Sequence, residues 1–434
     1  MLNSELIELL EKLQKKGIVL SADEIRAIEK FDKEKISILL SVTGGHIRNA
    51  IRVLNDSVSD NKELRRIVAA IESADNIKAE ELAVLIATNQ KIINSIPDGL
   101  DKLVAKVAEA KELNVYYTQI AIYIVFDFCF DLTDIVEIAS QIGKANSFQQ
   151  AAIACKLLKN KDFIESGKEV QLITPIVQAK DKKCADTAAT LALMPEFLKH
   201  DDAYEIINVI ANTNNEEKAD YAKQYAEKSL DDENLLEIVK VIANAKSEKR
   251  AEYAYDVATD EDVIMYDKQL PLARSVANAR SDKRAVFARE VAWDTKLLSL
   301  DTAEKCTKLI AQAKGDLQAE LGSKLATAFG LGKDDIPMLK MITNANEITA
   351  EIKEEIININ NLTAAGEIFD NVEEMNGEVA NNIIGVLFDE HKYLPFIDYY
   401  NDNPKEALTA LKQMTKTFNQ EFDTAKTYVK KIGE

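Results

Sequence analysis

Along ENLLEIVKVIANAK (233–246) the apolar residues Leu235, Leu236, Val239, Ile242 and Ala243 recur every three or four positions, the stripe of one amphipathic helix. Ser247 follows, where a hydroxyl can accept from the exposed N–H groups of a helix start. The next stretch, EKRAEYAYDVATD, sets Ala251, Ala254 and Ala258 along one side. The pattern predicts a helical hairpin: an A helix, a tight turn capped by Ser247, and a B helix whose alanines let a neighbour approach closely.

The same phrase returns. VIANAKSEKRAEYAYDVATD (241–260) is followed 34 residues later by SVANARSDKRAVFAREVAWD (275–294), with Ser281 in the place of Ser247. Taking the last large apolar residue of the A helix as a marker, the copies fall at Ile142, Ile176, Ile210, Ile242, Val276, Ile310 and Ile342, in steps of 34 or 32. Fainter copies stand at Ile71, Val107 and Val372. The alanine seam recurs at Ala151 and Ala154, at Ala185, Ala188 and Ala192, at Ala219, Ala222 and Ala226, and at Ala285, Ala288 and Ala292. A fixed period of this size is the mark of stacked supersecondary units. Pro271 and Pro337 stand five residues before their markers and read as helix starts. Pro175, just before Ile176, is out of that register and is expected to bend or shorten its helix.

The period and the paired helices resemble the α-helical solenoids, the group of tetratricopeptide, HEAT and armadillo arrays, over about residues 60–390. The Trp-Leu-Gly-Tyr signature of the tetratricopeptide first helix is missing from EIVKVIANAK, so the resemblance is one of architecture. It implies an all-α fold of tandem antiparallel helix pairs in a right-handed superhelix, on the order of 100 Å long for about ten hairpins, with an extended concave surface. The expected organisation is an N-terminal helical capping region over 1–60, the repeats over 61–395, and a C-terminal amphipathic capping helix over 396–434. After Pro404 that last helix aligns Leu408, Leu411, Phe418, Phe422, Ala425, Val429 and Ile432. Such a face seals the stack or pairs with another chain, which would give a monomer or a weak homo-oligomer joined through terminal helices.

Composition supports helix: only 14 glycines and 7 prolines occur in 434 residues. The 73 acidic against 54 basic residues leave a net charge of −19, which opposes general affinity for nucleic acid or anionic lipid. Val115–Phe130 is too short and polar to cross a bilayer, and the first residues form an amphipathic helix and not a secretory signal. A soluble, cytoplasmic protein without membrane partners is expected. Cys129, Cys155, Cys184 and Cys306, spread without a CxxC pair, read as small core residues.

No catalytic residue, cofactor or metal site is expected. The three histidines, His46, His200 and His391, are far apart in the chain, and neither HExxH, nor GxSxG, nor a P-loop occurs. TGGHIRNA (43–50) and GLGKDD (330–335) read as helix-to-helix turns. Asp127 and Asp131 have helical i, i+4 spacing but no further ligand in register. The aromatic run around them, from Tyr116 to Phe130, reads as core, with a hydrophobic partner groove as the functional alternative.

Charge offers the clearest functional hint. The A-to-B turns line up at one edge of such a stack and carry Lys180, Lys182, Lys183, Lys218, Lys246, Lys249, Arg250, Arg280, Lys283, Arg284 and Lys314. The opposite turns carry HDD, DDEN and TDED. Lysine or arginine after an A helix complements its dipole, and the same row suits an acidic partner surface. Positions that vary between constant alanines, Tyr255 against Arg289 and Thr259 against Trp293, are candidates for partner-specific contact. The chain is therefore expected to be a non-enzymatic protein-binding scaffold. Nucleic-acid binding along the edge and structural self-assembly are the alternatives. Protein is favoured because few aromatics are available there to stack bases.

Overall fold

The computed structural model describes residues 4–15, 17–56, 60–96, 98–329, 331–333 and 336–345. Among them every regular element is a helix. The protein is all-α, and its neighbouring helices pack in a way compatible with a helical-repeat architecture. The copy at Val372, His391 and the helix after Pro404 lie outside the described residues, as does most of GLGKDD. The chain divides into two compact bodies, Met1–Ala243 and Asn244–Glu434.

In the first body, A helices run over Leu132–Gly143, Glu169–Val177, Ala203–Ala211 and Leu235–Ala243, and B helices over Phe148–Leu157, Lys182–Leu191 and Glu216–Lys228. In the second, A helices span Gln269–Ala277, Ala303–Ala311 and Ile336–Asn344, and B helices Glu248–Thr259, Asp282–Ala292 and Asp316–Phe329. Within each body A helices pack on the following A, B on the following B, and each B on the next A. The seven markers lie near the C-terminal ends of A helices and are all 0% exposed. The seam alanines of the B helices are no more than 1% exposed, so the two rows meet through methyl groups.

Pro271 and Pro337 fall within the first turns of their helices as expected. Pro175 does not shorten its helix: Glu169–Val177 has nine residues, as does Ala203–Ala211. A third element stands in the connection from B to the next A. One-turn helices at Lys161–Ile164, Pro195–Leu198, Glu261–Met265 and Thr295–Leu298 each plug a fully buried side chain into the core: Phe163, Phe197, Val263 and Leu297. Asn160, Asp260 and Asp294 cap three of them.

Among the described residues of the first 60 stand four α-helices, Ser4–Lys15, Ala22–Ile28, Lys33–Ser41 and Ile47–Asp56. Gly44–His46 is one 3-10 turn leading into the last of these, so the glycine pair is a turn. Two readings are corrected. Asp127 ends one helix and Asp131 caps the next, so the i, i+4 carboxylate pair does not form; Asp127 pairs with Lys91 at 2.7 Å instead. Cys129 sits between them with φ of 59° and is exposed, because the chain reverses there; the other three cysteines are buried.

Candidate functional site

Five A-to-B turns are each tied to the next copy by a backbone bond. The N–H of the residue after the second alanine donates to the end of the following A helix: Asn146 to the Val177 carbonyl (2.9 Å), Lys180 to Ala211 (3.3 Å), Lys246 to Ala277 (3.3 Å), Arg280 to Ala311 (3.0 Å) and Lys314 to Thr343 (2.9 Å). Those carbonyls have no partner inside their own helix, so the bond satisfies groups a helix end would otherwise leave open. The alanine just before each donor, from Ala145 to Ala313, is at most 2% exposed. A larger side chain there would separate the turns.

The B helix begins at a side-chain cap, and helical phase then sorts the basic residues of this edge into three groups. Ser147, Asp181, Asn215, Ser247 and Ser281 each accept from the N–H three residues on. That third residue, Gln150, Cys184, Lys218, Arg250 or Arg284, turns inward. Arg250 donates from Nη1 to the Ala279 carbonyl (2.5 Å) and from Nε to Asp282 Oδ1 (2.8 Å). Arg284 repeats this on Ala313 (2.7 Å) and Asp316 (2.9 Å). Their side chains are only 12% and 14% exposed. Gln150 donates to the Ala179 carbonyl at 2.5 Å, and the Cys184 thiol lies 3.4 Å from that of Thr213. Burial pushes that thiol up to about 12, which keeps it protonated and able to donate. Lys218 is 6% exposed, its Nζ 3.1 Å from Asn214 Oδ1.

The second group points outward. The side chains of Lys249 and Lys283, each beside a clamped arginine, are exposed and make no hydrogen bond or ion pair among the described residues; the Lys180 side chain shares that state. Lys182 and Lys183 are also exposed, the first 3.9 Å from Asp186 and the second paired with Glu216. The third group follows the A helix. Lys246 Nζ donates to the Asn278 carbonyl (3.0 Å) and Arg280 Nε to Gln312 Oε1 (3.3 Å), contacts that complement a helix C-terminus while leaving both residues exposed. Lys314 is exposed as well.

The acidic partners of the arginines are depressed in pKa. Asp282 is lowered chiefly because the Ser247 hydroxyl donates to it, with the Arg250 guanidinium adding to the effect. Asp316 is lowered in the same order by Ser281 and Arg284. Two donors from one copy, a serine hydroxyl and an arginine Nε, thus converge on the first acid of the next B helix. On the opposite edge the charge pattern is mixed: Lys168 Nζ donates to the His200 carbonyl (2.7 Å) and Lys268 Nζ to those of Leu298 and Leu300 (2.6 and 2.7 Å).

Of the variable positions, Arg289 and Trp293 come together. The Arg289 guanidinium lies 4.2 Å from the Tyr253 ring centre and 4.7 Å from that of Trp293, and its Nη1 pairs with Asp256 at 2.8 Å. Arg289 Nε and Trp293 Nε1 are buried there without an acceptor among the described residues. Tyr255 is not in that cluster; it is 9% exposed and packs in the core.

Among the described residues no three His, Cys, Asp or Glu side chains gather to hold a metal, and no helix is long and apolar enough to cross a membrane. His46 pairs with the buried Glu80 at 2.7 Å, and His200 Nδ1 accepts from the Asp202 N–H at 3.1 Å. No protein-family model, curated protein or solved structure matches this chain.

Proposed function

We propose that the protein is a cytoplasmic, non-enzymatic α-solenoid scaffold that receives an acidic protein surface along its A-to-B edge. One observation carries this reading: in Lys249–Arg250 and again in Lys283–Arg284 the arginine is spent on holding copies together, while the lysine stands exposed with no ion pair or side-chain hydrogen bond among the described residues and acts on Asp282 or Asp316 only through space. That through-space attraction is the smallest of the effects on each aspartate, which leaves most of the lysine charge directed at solvent. Exposed cations in register supply long-range attraction and selectivity for a complementary acidic surface.

The test follows from that division of labour. Lys249→Glu, Arg280→Glu and Lys283→Glu together should abolish capture of partners from native cytoplasm and leave the melting temperature within about 1 °C, because exposed substitutions of this kind change stability little. Capture identical to wild type rejects the edge. Arg250 and Arg284 are unsuitable for this test, since reversing them would break the clamps. An oligonucleotide that binds and is released on raising salt, with a slope set by its phosphate contacts, would favour nucleic acid instead. Against that alternative stands Tyr253, whose ring is already covered by Arg289.

A further inference from the structure

We infer that the A-to-B edge of the first body is a two-part docking strip for a peptide segment carrying large apolar side chains followed by aspartates or glutamates. This rests on the reading of the edge as a protein-binding surface and adds the chemistry of its partner. At the first helical position after the cap, the later copies carry charge: Lys182, Glu216, Glu248 and Asp282. The earlier copies carry Ile77 and Phe148 there, exposed by 73% and 43%. Between them lies the 3-10 turn Glu112–Asn114, with Leu113 71% exposed and, one helical step on, Tyr116 65% exposed.

These four side chains stand on elements that pack against one another in succession. The Glu112–Asn114 turn packs against both the helix that begins at Ile77 and the helix that begins at Phe148, and Lys78 Nζ is 3.2 Å from Glu112 Oε1. Hydrogen bonds fix the spacing: Asn76 Nδ2 donates to the Ala110 carbonyl (2.8 Å), Asn114 Nδ2 to that of Ala145 (2.9 Å) and Gln150 Nε2 to that of Ala179 (2.5 Å). The strip is therefore preformed, with one apolar step per helix spacing of roughly 8–10 Å. Burying it removes apolar surface from water at about 25 cal/mol per Å².

The strip continues into cations. The helix Lys182–Leu191 packs directly on Phe148–Leu157, and its start presents Lys180, Lys182 and Lys183. Two acids near the apolar part are already matched, Glu112 by Lys78 and Glu109 by Lys106 and Lys144. The ion pairs of Lys182 and Lys183 are exposed, and such pairs exchange readily for others. Charge complementarity thus selects an occupant that is apolar at one end and acidic at the other.

Fluorescence anisotropy on the full chain at low salt tests this with two labelled peptides: a Leu/Phe block followed by a Glu block, and the same peptide with Ser for Leu and Phe. The first should bind at least tenfold more tightly. Leu113→Ser with Phe148→Ser should erase that advantage without lowering the melting temperature, and charge reversal at Lys180, Lys182 and Lys183 should weaken both peptides. Equal affinities, no binding of the first peptide, or indifference to the Leu113/Phe148 variant overturns the strip. If the Ser peptide binds and loses affinity only on lysine reversal, the strip fails while the basic-edge reading survives. A dimer in sedimentation equilibrium that the Leu113/Phe148 variant dissolves would mean that a second copy is the occupant, and the inference fails.

Discussion

Neighbouring side chains in Lys249–Arg250 differ by about 100° in helical phase, and that angle decides their roles. The arginine reaches the Ala279 carbonyl and Asp282, whereas the lysine meets water. Both residues were legible as members of one basic edge. Which of them turns inward was not, because the acceptors belong to the next copy and no local pattern marks them. The alanine seam was fully legible, since small residues at fixed helical spacing have few other uses. Ala288, 0% exposed between B helices, sets the sharpest residue-level prediction. Ala288→Leu should destabilise the chain by about 1–3 kcal/mol in urea unfolding, by overpacking. A neutral result would mean the seam has room that its burial denies. Tyr255, singled out because it varies between copies, is 9% exposed, and a position can also vary because its local core differs.

Among elements, the caps were read correctly at Ser247 and Ser281, where hydroxyl and N–H meet at 3.3 and 3.2 Å, and around Ser281 the paired helices Gln269–Ala277 and Asp282–Ala292 pack as a hairpin. The one-turn helix before four of the A helices was missed. Four residues are too few to show a period, though Phe163, Phe197, Val263 and Leu297 keep the beat of the markers. The cap also couples each hairpin to pH. Asp282 and Asp316 have folded pKa values below the usual 3.8, so their contribution is complete above that value and is lost as pH falls through the lower folded one. Stability should therefore drop as the solution is taken below about pH 3.8. In Asp282→Asn with Asp316→Asn that acid-side slope should be shallower, and melting curves from pH 5 to pH 2.5 check it. An unchanged slope would assign the acid sensitivity to other groups.

For the molecule as a whole, a net charge of −19 coexists with a row of exposed lysines, so the positive charge is placed and not merely abundant. The all-α class followed from composition and period. The division into two compact bodies did not, because the marker steps pass Ala243 with no break in register. The central claim is that each Lys-Arg pair splits its work between holding the copies together and facing a partner. The most direct measurement compares calorimetric melting of Arg250→Ala with Arg284→Ala against Lys249→Ala with Lys283→Ala in the full chain. Losing the clamps should lower the midpoint by on the order of 5 °C, from about 1–3 kcal/mol per site, and losing the lysines should leave it in place. Equal shifts in the two double variants, or none in the arginine one, would contradict the claim.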